Sequence, residues 1–217
     1  MIKAEGIEKS YNGEKVLKGV NLEIFDGEFV AVMGESGSGK STLISILGGF
    51  LVADSGRVLW DGEDISEFSE KHLANLRSTS VGFVFQFFKL IPTLNVRDNM
   101  ILPATLGGKI NAETVSYMNE LVSELKLDSL LSKYPDQLSG GQCQRAAILR
   151  ALIYKPSMII LDEPTGALDS STEEAVMKLL TRINREQNAT VIMVTHSKKV
   201  AEYAHRIINL RDGDIIK

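Results

Sequence analysis

The sequence of 217 residues lacks the features that mark several common classes of protein. Its one cysteine, Cys143, excludes a disulfide within the chain and indicates a reducing compartment. Lysine and arginine number 24 against 28 acidic residues, and the net charge of −4 argues against a nucleic-acid partner. The longest apolar runs, such as 158–161, are far shorter than the roughly 18 residues of a membrane span. A role at a membrane would therefore require another subunit to cross it.

What the sequence does contain is an alternation of strand and helix patterns. Apolar residues at every second position from Val20 to Ile24 are typical of a half-buried strand. A strand covered on both faces is predicted at 29–33 and another buried strand at 81–85. Further strands are predicted at 158–161 and 190–194, and helices at 41–47 and 142–154. The pattern Ser171-Thr172-Glu173-Glu174 predicts a capping box at the start of a later helix. Together these patterns predict an α/β fold with a mostly parallel sheet and an antiparallel N-terminal part.

The stretch from about 87 to 138 differs from the rest because it has a helical period. Apolar residues that fall on one helix face there are Val115, Met118, Leu121, Val122 and Leu125. We therefore expect a single domain over 1–217, with a helical subdomain inserted at about 87–138.

The first chemical motif is the glycine-rich loop Gly34–Ser41. It matches the pattern G-x-x-x-x-G-K-[ST] between a predicted strand and a predicted helix, the setting of a phosphate-binding P-loop. Gly37 and Gly39 allow backbone N–H groups to surround an anion at the start of that helix. Lys40 is predicted to reach the β- and γ-phosphates, and Ser41 is predicted to offer its hydroxyl to Mg²⁺.

Three further strands end in polar side chains, at the edge where open α/β sheets bind ligands. Asp162 follows one apolar strand and is predicted to hold Mg²⁺, while the adjacent Glu163 would act as general base on an attacking water. His196 follows another strand, from which it would either hydrogen-bond the γ-phosphate or orient the water. Gln86 closes a third strand, where its amide could touch Mg²⁺ or the attacking water.

A second glycine loop, Leu138–Gln142, lacks the lysine and the carboxylates that accompany the first. Ser139 is a good N-cap for the following helix, and the glycines after it leave the N-terminal amides open. The loop is either a capped helix start and nothing more, or half of a phosphate site that a second copy of the chain completes. Tyr11, in the early loop 10–13, is either a surface tyrosine or a ring that stacks on adenine.

Taken together, these motifs resemble those of the ATP-binding cassette ATPase family, in the family's order and over essentially the whole chain. The matches are Tyr11 at the adenine-stacking loop, Gly34–Ser41 at Walker A, Gln86 at the Q-loop, Leu138–Gln142 at the LSGGQ signature, Asp162-Glu163 at Walker B, 166–169 at the D-loop and His196 at the switch histidine. The resemblance implies a Mg²⁺-dependent ATPase with catalytic Lys40, Glu163 and His196, and with Ser41, Gln86 and Asp162 at the metal. The residues expected to bind ATP are Tyr11, Gly34, Glu35, Ser36, Gly37, Ser38, Gly39, Lys40, Ser41, Thr42 and Gln86.

The resemblance also implies partners for the chain. Two cassettes would pack head to tail, so that Ser139, Gly140, Gly141 and Gln142 of one contact the ATP held by the other. Ala167, Leu168 and Asp169 would form the D-loop of that dimer. The helical subdomain and the Gln86 loop would dock on an integral membrane permease, at the cytoplasmic face of a bacterial membrane.

Segments 84–94 and 162–169 are most similar to the branch of macrolide and peptide exporters, lipoprotein-releasing ATPases and the cell-division ATPase FtsE. They imply an exporter or a mechanotransmission system for peptides, antimicrobials or lipoproteins. The alternatives are an FtsE-like regulator of cell-wall and division machinery, a member that acts on nucleic acid or ribosomes, and a scaffold without turnover. Lys89, Cys143 and Leu149 depart from the family's usual asparagine, glutamine and small residue, and Lys89 lies in the coupling region.

Overall fold

Strands and helices alternate along residues 1–216, the part of the chain that this computed structural model describes. The strands β1 to β10 are Ile2–Tyr11, Glu14–Ile24, Phe29–Met33, Ser55–Trp60, Glu63–Asp64, Val81–Val84, Met158–Asp162, Thr190–Val194, Arg206–Arg211 and Asp214–Ile216. The helices α1 to α7 are Lys40–Leu47, Glu70–Ser80, Val96–Leu106, Ala112–Glu124, Gly140–Leu152, Ser170–Gln187 and Lys198–Ala201. Within residues 1–216, no helix combines the length and the apolar character needed to cross a membrane.

The strands form two sheets. Six strands lie in the order β10-β9-β3-β8-β7-β6, and every pair from β9 to β6 is parallel, while β10 runs antiparallel at one edge. The other sheet, β2-β1-β4-β5, is antiparallel and contains the first two strands of the chain. The α/β fold predicted from the sequence, with its antiparallel N-terminal part, is therefore confirmed.

The parallel sheet is buried on both faces. Along β3, Phe29 and Ala31 join one hydrophobic cluster with residues of α3 to α6, while Val30 and Val32 join a second cluster with α1 and the antiparallel sheet. Each large apolar side chain removed from water in this way contributes roughly 1.5–3 kcal/mol. Because neither face of β3 meets solvent, its sequence is continuously apolar and does not alternate between apolar and polar residues.

The register of the parallel strands brings their carboxyl ends to one edge. Val194 of β8 pairs with Val32 of β3 on one side and with Asp162 of β7 on the other. Val84, the last residue of β6, pairs with Leu161 of β7. The residues that follow β3, β8, β7 and β6 therefore lie side by side in space, although up to about 160 residues separate them in the chain.

Two helix starts differ from the sequence predictions. The capping box predicted at 171–174 is wrong, because α6 begins at Ser170 and its N-cap is Asp169. The Asp169 carboxylate accepts hydrogen bonds from the backbone N–H groups of both Ser171 and Thr172. Its pKa is lowered, chiefly by the hydrogen bond from the Ser171 hydroxyl and then by the bond from the Thr172 N–H. A carboxylate satisfies two free amides where a serine hydroxyl satisfies one. Helix α5 starts at Gly140, two residues before the predicted 142, directly after its N-cap Ser139.

Helices α3 and α4 lie between residues 87 and 138. The start of α3 is tied to the end of this segment, since the N–H groups of Val96 and Arg97 donate to the carbonyls of Lys133 and Leu131. The buried residues of α4 face the same hydrophobic cluster as one side of the parallel sheet. At the surface, Arg182 of α6 forms an ion pair with Glu124 of α4 at 2.5 Å. The segment thus packs on the sheet through an apolar face with polar contacts at its rim.

Candidate functional site

A cleft of about 380 Å³ opens at the edge where β3, β8, β7 and β6 end. The residues that line it are Tyr11, Val16, Ser36, Gly37, Gly39, Lys40, Ser41, Thr42, Gln86, Asp162, Glu163, Val194 and His196. Residues assigned from the sequence to a nucleotide site are thus brought together from five parts of the chain. Gly34, Glu35 and Ser38 belong to the same glycine loop but do not line the cleft.

Two glycines of the loop Gly34–Ser41 have no room for a side chain. Gly39 has a φ of +98°, and a Cβ there would lie 2.9 Å from the carbonyl oxygen of Val16. A Cβ on Gly34 would lie 2.0 Å from the carbonyl oxygen of Leu210. The loop therefore lies directly against β2 and β9, and only glycine at these positions permits that approach.

Lys40, the first residue of α1, turns its ammonium group back onto the loop. Its Nζ donates to the carbonyl oxygens of Glu35, at 2.6 Å, and Gly34, at 3.0 Å. Burial lowers the pKa of Lys40, and the negative charges of Glu163 and Asp162 oppose that shift. The ammonium is thus held at the start of α1 by weak neutral acceptors, which a phosphate oxygen could replace with a stronger charged one.

Asp162 and Glu163 leave two buried oxygens without hydrogen-bond partners. Within residues 1–216, Oδ1 of Asp162 and Oε1 of Glu163 accept no hydrogen bond. Burial raises the pKa of both carboxyls, although Ser41 and Lys40 partly offset the shift for Asp162, and His196 does so for Glu163. An unpaired buried carboxylate is unfavourable, and such a group is normally paired or coordinates a metal.

These unpartnered oxygens fit a divalent cation. The Asp162 carboxylate, the Ser41 hydroxyl and the Gln86 amide all line the cleft, and oxygen donors of these kinds suit Mg²⁺. In the described residues, no group of three or more histidine, cysteine or acidic side chains is placed to enclose a metal. The fit is thus to an ion that keeps water and phosphate oxygens among its ligands.

Glu163 has a strained backbone, and its carboxylate lies beside His196. Its φ of +50° places a non-glycine residue in the left-handed region, at a cost of roughly 1–2 kcal/mol. Its N–H donates to the carbonyl of Val194 at 3.1 Å, which ties the end of β7 to β8. His196 Nε2 lies 3.3 Å from Glu163 Oε1, but the angles are not those of a hydrogen bond, so this oxygen stays unpartnered.

The far wall of the cleft is formed by Tyr11 and Val16. Tyr11 ends β1, and its side chain is 46% exposed. The ammonium of Lys9 lies 5.8 Å from the centre of the Tyr11 ring. Val16 of β2 was not predicted from the sequence as a site residue. An ordinary β-branched residue in a strand gives no signal of this role, and only its position beside Gly39 reveals it.

The second glycine loop lies outside this cleft. The Ser139 hydroxyl accepts a hydrogen bond from the N–H of Gln142, while the Gln142 side chain accepts one from the N–H of Ser139. None of Leu138–Gln142 lines the cleft. A Cβ on Gly141 would lie 2.9 Å from the carbonyl oxygen of Ala167, so the loop packs closely against residues 166–169. Ser139 is exposed at the N-terminus of α5, and the predicted capping role is confirmed.

The three departures from the family pattern lie away from the cleft lining. Cys143 and Leu149 are buried in α5, where Leu149 joins the hydrophobic cluster under the sheet. Lys89 is exposed in the loop that follows Gln86. None of the three lines the cleft.

Comparison with known proteins agrees with this geometry. The family model described as "ABC transporter" matches residues 17–166. The macrolide export ATP-binding/permease protein MacB of Brucella melitensis is 48% identical over 220 aligned residues, which cover 100% of this chain and 34% of that protein. The lipoprotein-releasing system ATP-binding protein LolD of Aquifex aeolicus is 43% identical over 216 residues, which cover 100% of this chain and 96% of that protein. The chain thus spans about a third of the macrolide exporter and nearly all of the lipoprotein-releasing protein.

A solved structure resembles the chain throughout. The ATP-binding cassette MJ0796, in a dimeric post-hydrolysis state bound to ADP and Pi, is 40% identical with a TM-score of 0.95. The match covers 100% of this chain and 97% of that one. The family model, the relatives and the shared fold agree with the cleft and its motifs. The chain therefore belongs to the ABC transporter family, as an ATP-binding ATPase domain.

Proposed function

We propose that the cleft binds ATP with Mg²⁺ and hydrolyses it. The observation that carries this proposal is the pair of unpartnered buried oxygens, on Asp162 and Glu163, that share one cleft with the Lys40 ammonium. Two buried carboxylate oxygens without hydrogen-bond partners favour a cation, and the P-loop amides and lysine favour an anion. A magnesium–triphosphate complex meets both needs.

Each residue has a proposed role in this reaction. Tyr11 stacks on adenine, and Lys40 exchanges its loop carbonyls for the β- and γ-phosphates. Ser41 and Asp162, with the Gln86 amide, hold the metal, which when bound stabilises the negative charge on the phosphates. Glu163 accepts a proton from the attacking water, and burial raises its pKa, which makes it a stronger base than a solvated carboxylate. His196, 3.3 Å from Glu163, orients that water or the γ-phosphate.

The remaining P-loop residues are proposed to act mainly through their backbone. Gly34, Glu35, Ser36, Gly37, Ser38 and Gly39 shape the loop whose amides surround the phosphates, and Thr42 continues it into α1. The helix start adds the positive end of its dipole to the same anion site.

We further propose that the second loop acts on ATP held by another copy of the chain. Ser139 is exposed, and none of Ser139–Gln142 lines the cleft of its own chain. In a head-to-tail homodimer, Ser139, Gly140, Gly141 and Gln142 would contact the γ-phosphate of the partner's ATP. Ala167 and Leu168 lie against the second loop, and together with Asp169 they would form the D-loop part of the same interface.

A membrane permease is the proposed partner outside the dimer. We propose that residues 87–138 form the helical subdomain of a single domain and that this subdomain docks on the permease. An apolar groove of about 340 Å³ lies beside it, lined in part by Phe50, Phe85, Lys89 and Leu106. Leu106 is 74% exposed, which is unusual for a large apolar residue and favours a protein partner. Docking there would hold the chain at the cytoplasmic face of a bacterial membrane.

The names of the relatives favour an exporter or a mechanotransmission system. The macrolide exporter and the lipoprotein-releasing protein both align with the whole of this chain. We propose a substrate among peptides, antimicrobials and lipoproteins. An FtsE-like regulator without transport remains the second candidate, because it would use the same cleft and the same groove.

The permease proposal is tested by purifying the tagged chain from membranes. The wild-type chain should bring down an integral membrane protein in stoichiometric amount. Leu106→Glu, which puts a charge in the groove, should reduce that yield by about tenfold or more while ATP binding is unchanged. Ile207→Glu is the matched control, because Ile207 is also exposed but lies outside residues 87–138 and does not line the groove. Recovery of DNA or ribosomes in place of a membrane protein would contradict the proposal.

A further inference from the structure

The loop after Gln86 has an unusual backbone. Phe88 and Lys89 have φ angles of +58° and +49°, so two successive non-glycine residues are left-handed. Within the loop, the N–H of Phe88 donates to the carbonyl of Phe85 at 3.0 Å. Residues in this region persist only where surrounding structure determines their conformation. Something outside the loop must therefore hold Phe88 and Lys89.

Arg150 provides that contact from the last turn of α5. Its Nη1 donates to the carbonyl oxygen of Lys89 at 2.5 Å, and its Nη2 donates to that of Phe88 at 2.7 Å. Burial lowers the pKa of Arg150, and in residues 1–216 no carboxylate is among the groups that perturb it. The planar guanidinium fork is therefore used on two backbone carbonyls instead of an acid.

Helix α5 also contacts this loop near its other end. A Cβ placed on Gly140, at the first turn, would lie 4.0 Å from Cζ of the Phe88 ring. Helix α5 is 13 residues long, which corresponds to roughly 20 Å. Phe88 thus meets the second glycine loop through its ring and Arg150 through its carbonyl. One rigid helix connects Ser139, its N-cap, with the loop that carries Gln86.

We propose that Arg150 is a positioning residue for ATP hydrolysis, acting through Gln86. The guanidinium holds the left-handed turn at Phe88 and Lys89, and this turn directs the Gln86 amide into the cleft. Arg150 does not line the cleft, so it touches neither nucleotide nor metal. The inference rests on the proposed role of Gln86 at the metal or the attacking water.

The test compares two arginines that each donate to backbone carbonyls. Arg150→Lys keeps the charge but removes the fork, and it should lower kcat by about 10- to 100-fold with little change in the KM for ATP. Arg206→Lys is the control, because Arg206 also donates to a backbone carbonyl, that of Glu23 at 2.7 Å, and does not line the cleft. Its kcat should stay within about threefold of wild type. An unchanged kcat in Arg150→Lys would overturn the proposal.

A double-mutant cycle separates positioning from a general loss of structure. If Arg150 acts through Gln86, Arg150→Lys should have almost no further effect on kcat in a Gln86→Ala background. Additive losses would overturn the proposal while leaving the role of Gln86 intact. A Gln86→Ala variant with wild-type turnover would overturn the role of Gln86, and with it this inference.

Folding is checked by thermal unfolding of each variant. Arg150→Gln, which keeps an uncharged donor, is the second variant if Arg150→Lys unfolds at the assay temperature. Folded Arg150→Gln should show the same fall in kcat at nearly constant KM, and the same absence of a further effect with Gln86→Ala. A folded variant that loses ATP affinity instead of turnover would also overturn the proposal.

Discussion

The two glycine loops of this chain have the same kind of local structure and very different surroundings. Each leads into a helix, since α1 begins at Lys40 within Gly34–Ser41 and α5 begins at Gly140 within Leu138–Gln142. The first loop borders a cleft with a lysine, two buried carboxylates, a glutamine and a histidine. In the second loop Ser139 and Gly140 are exposed, and the nearest neighbours of its glycines are Ala167 and Leu168.

The difference teaches that a helix N-terminus with glycines is only part of a nucleotide site. Amides and a helix dipole attract an anion in both places. Only the first loop adds groups that can hold a cation and move a proton. The second loop can therefore assist a reaction but has nothing around it that could carry one out, which is why we assign it to a partner's ATP.

The largest effect is expected for Glu163, in the cleft beside the first loop, where a substitution should stop ATP hydrolysis and leave ATP binding intact. Glu163→Gln should lower kcat by about 10²- to 10⁴-fold, because the general base is lost while the side chain keeps its size. ATP binding, measured with a fluorescent nucleotide, should be retained, and ATP should hold the dimer together for longer. Glu202→Gln, at an exposed position, is the control and should hydrolyse ATP normally. Full turnover by Glu163→Gln would contradict the role of Glu163.

A second variant separates the helix-capping role of the second loop from its proposed contact with the partner's ATP. Ser139→Asp keeps a good N-cap but places a negative charge where the partner's γ-phosphate would lie. Isolated monomers should bind ATP as the wild type does, while ATP-driven dimerisation, followed by light scattering, disappears. Turnover should fall by about 10²-fold, the usual cost of losing one phosphate contact in the transition state.

The control for this variant is Ser69→Asp, because Ser69 is the N-cap of α2 and accepts from the N–H of His72. It should dimerise and hydrolyse ATP normally. If Ser139→Asp monomers lose ATP, the second loop contributes to the cleft of its own chain and the comparison between the loops fails.

The smallest expected effect is on thermal stability. Substitution of Glu163 in the cleft beside the first loop should raise Tm, whereas substitution of Ser139 in the second loop should lower it. Because burial raises the pKa of Glu163, its ionised form destabilises the folded chain. Below the ordinary pKa of 4.5, the Glu163 carboxyl is neutral in both the folded and the unfolded chain and costs no stability. As the pH rises from there through the raised pKa of the folded chain, the free energy of unfolding falls. Without nucleotide, Glu163→Gln should therefore raise Tm by about 2–4 °C at about pH 7.5 and by almost nothing near pH 4.

At the second loop, Ser139→Ala should lower Tm by about 2–4 °C at both pH values, because an N-cap is lost and no titrating group is involved. Differential scanning calorimetry at the two pH values tests both variants. A Glu163→Gln shift that does not depend on pH would mean that the folded chain compensates the burial of this carboxyl and leaves its pKa unshifted.

Much of the fold was predictable from local pattern. The continuous apolar runs identified β3, β6, β7 and β8 because strands buried on both faces cannot alternate. The prediction of a capping box at 171–174 failed because several residues near the start of α6 are able to cap a helix. Which of Asp169 and Ser171 caps the helix depends on where the helical conformation begins after Glu163, and in the structure it begins at Ser170.

The sequence alone determined the residue types and spacings of the P-loop, the strand-end carboxylates and the second glycine loop, because these motifs are local. Only the tertiary structure decided that β8 lies between β3 and β7, which brings His196 within 3.3 Å of Glu163. It also decided that Val16 lines the cleft and that Arg150 holds the carbonyls of Phe88 and Lys89. Such contacts join residues far apart in the chain, and their geometry follows from strand order and helix packing, which no local pattern specifies.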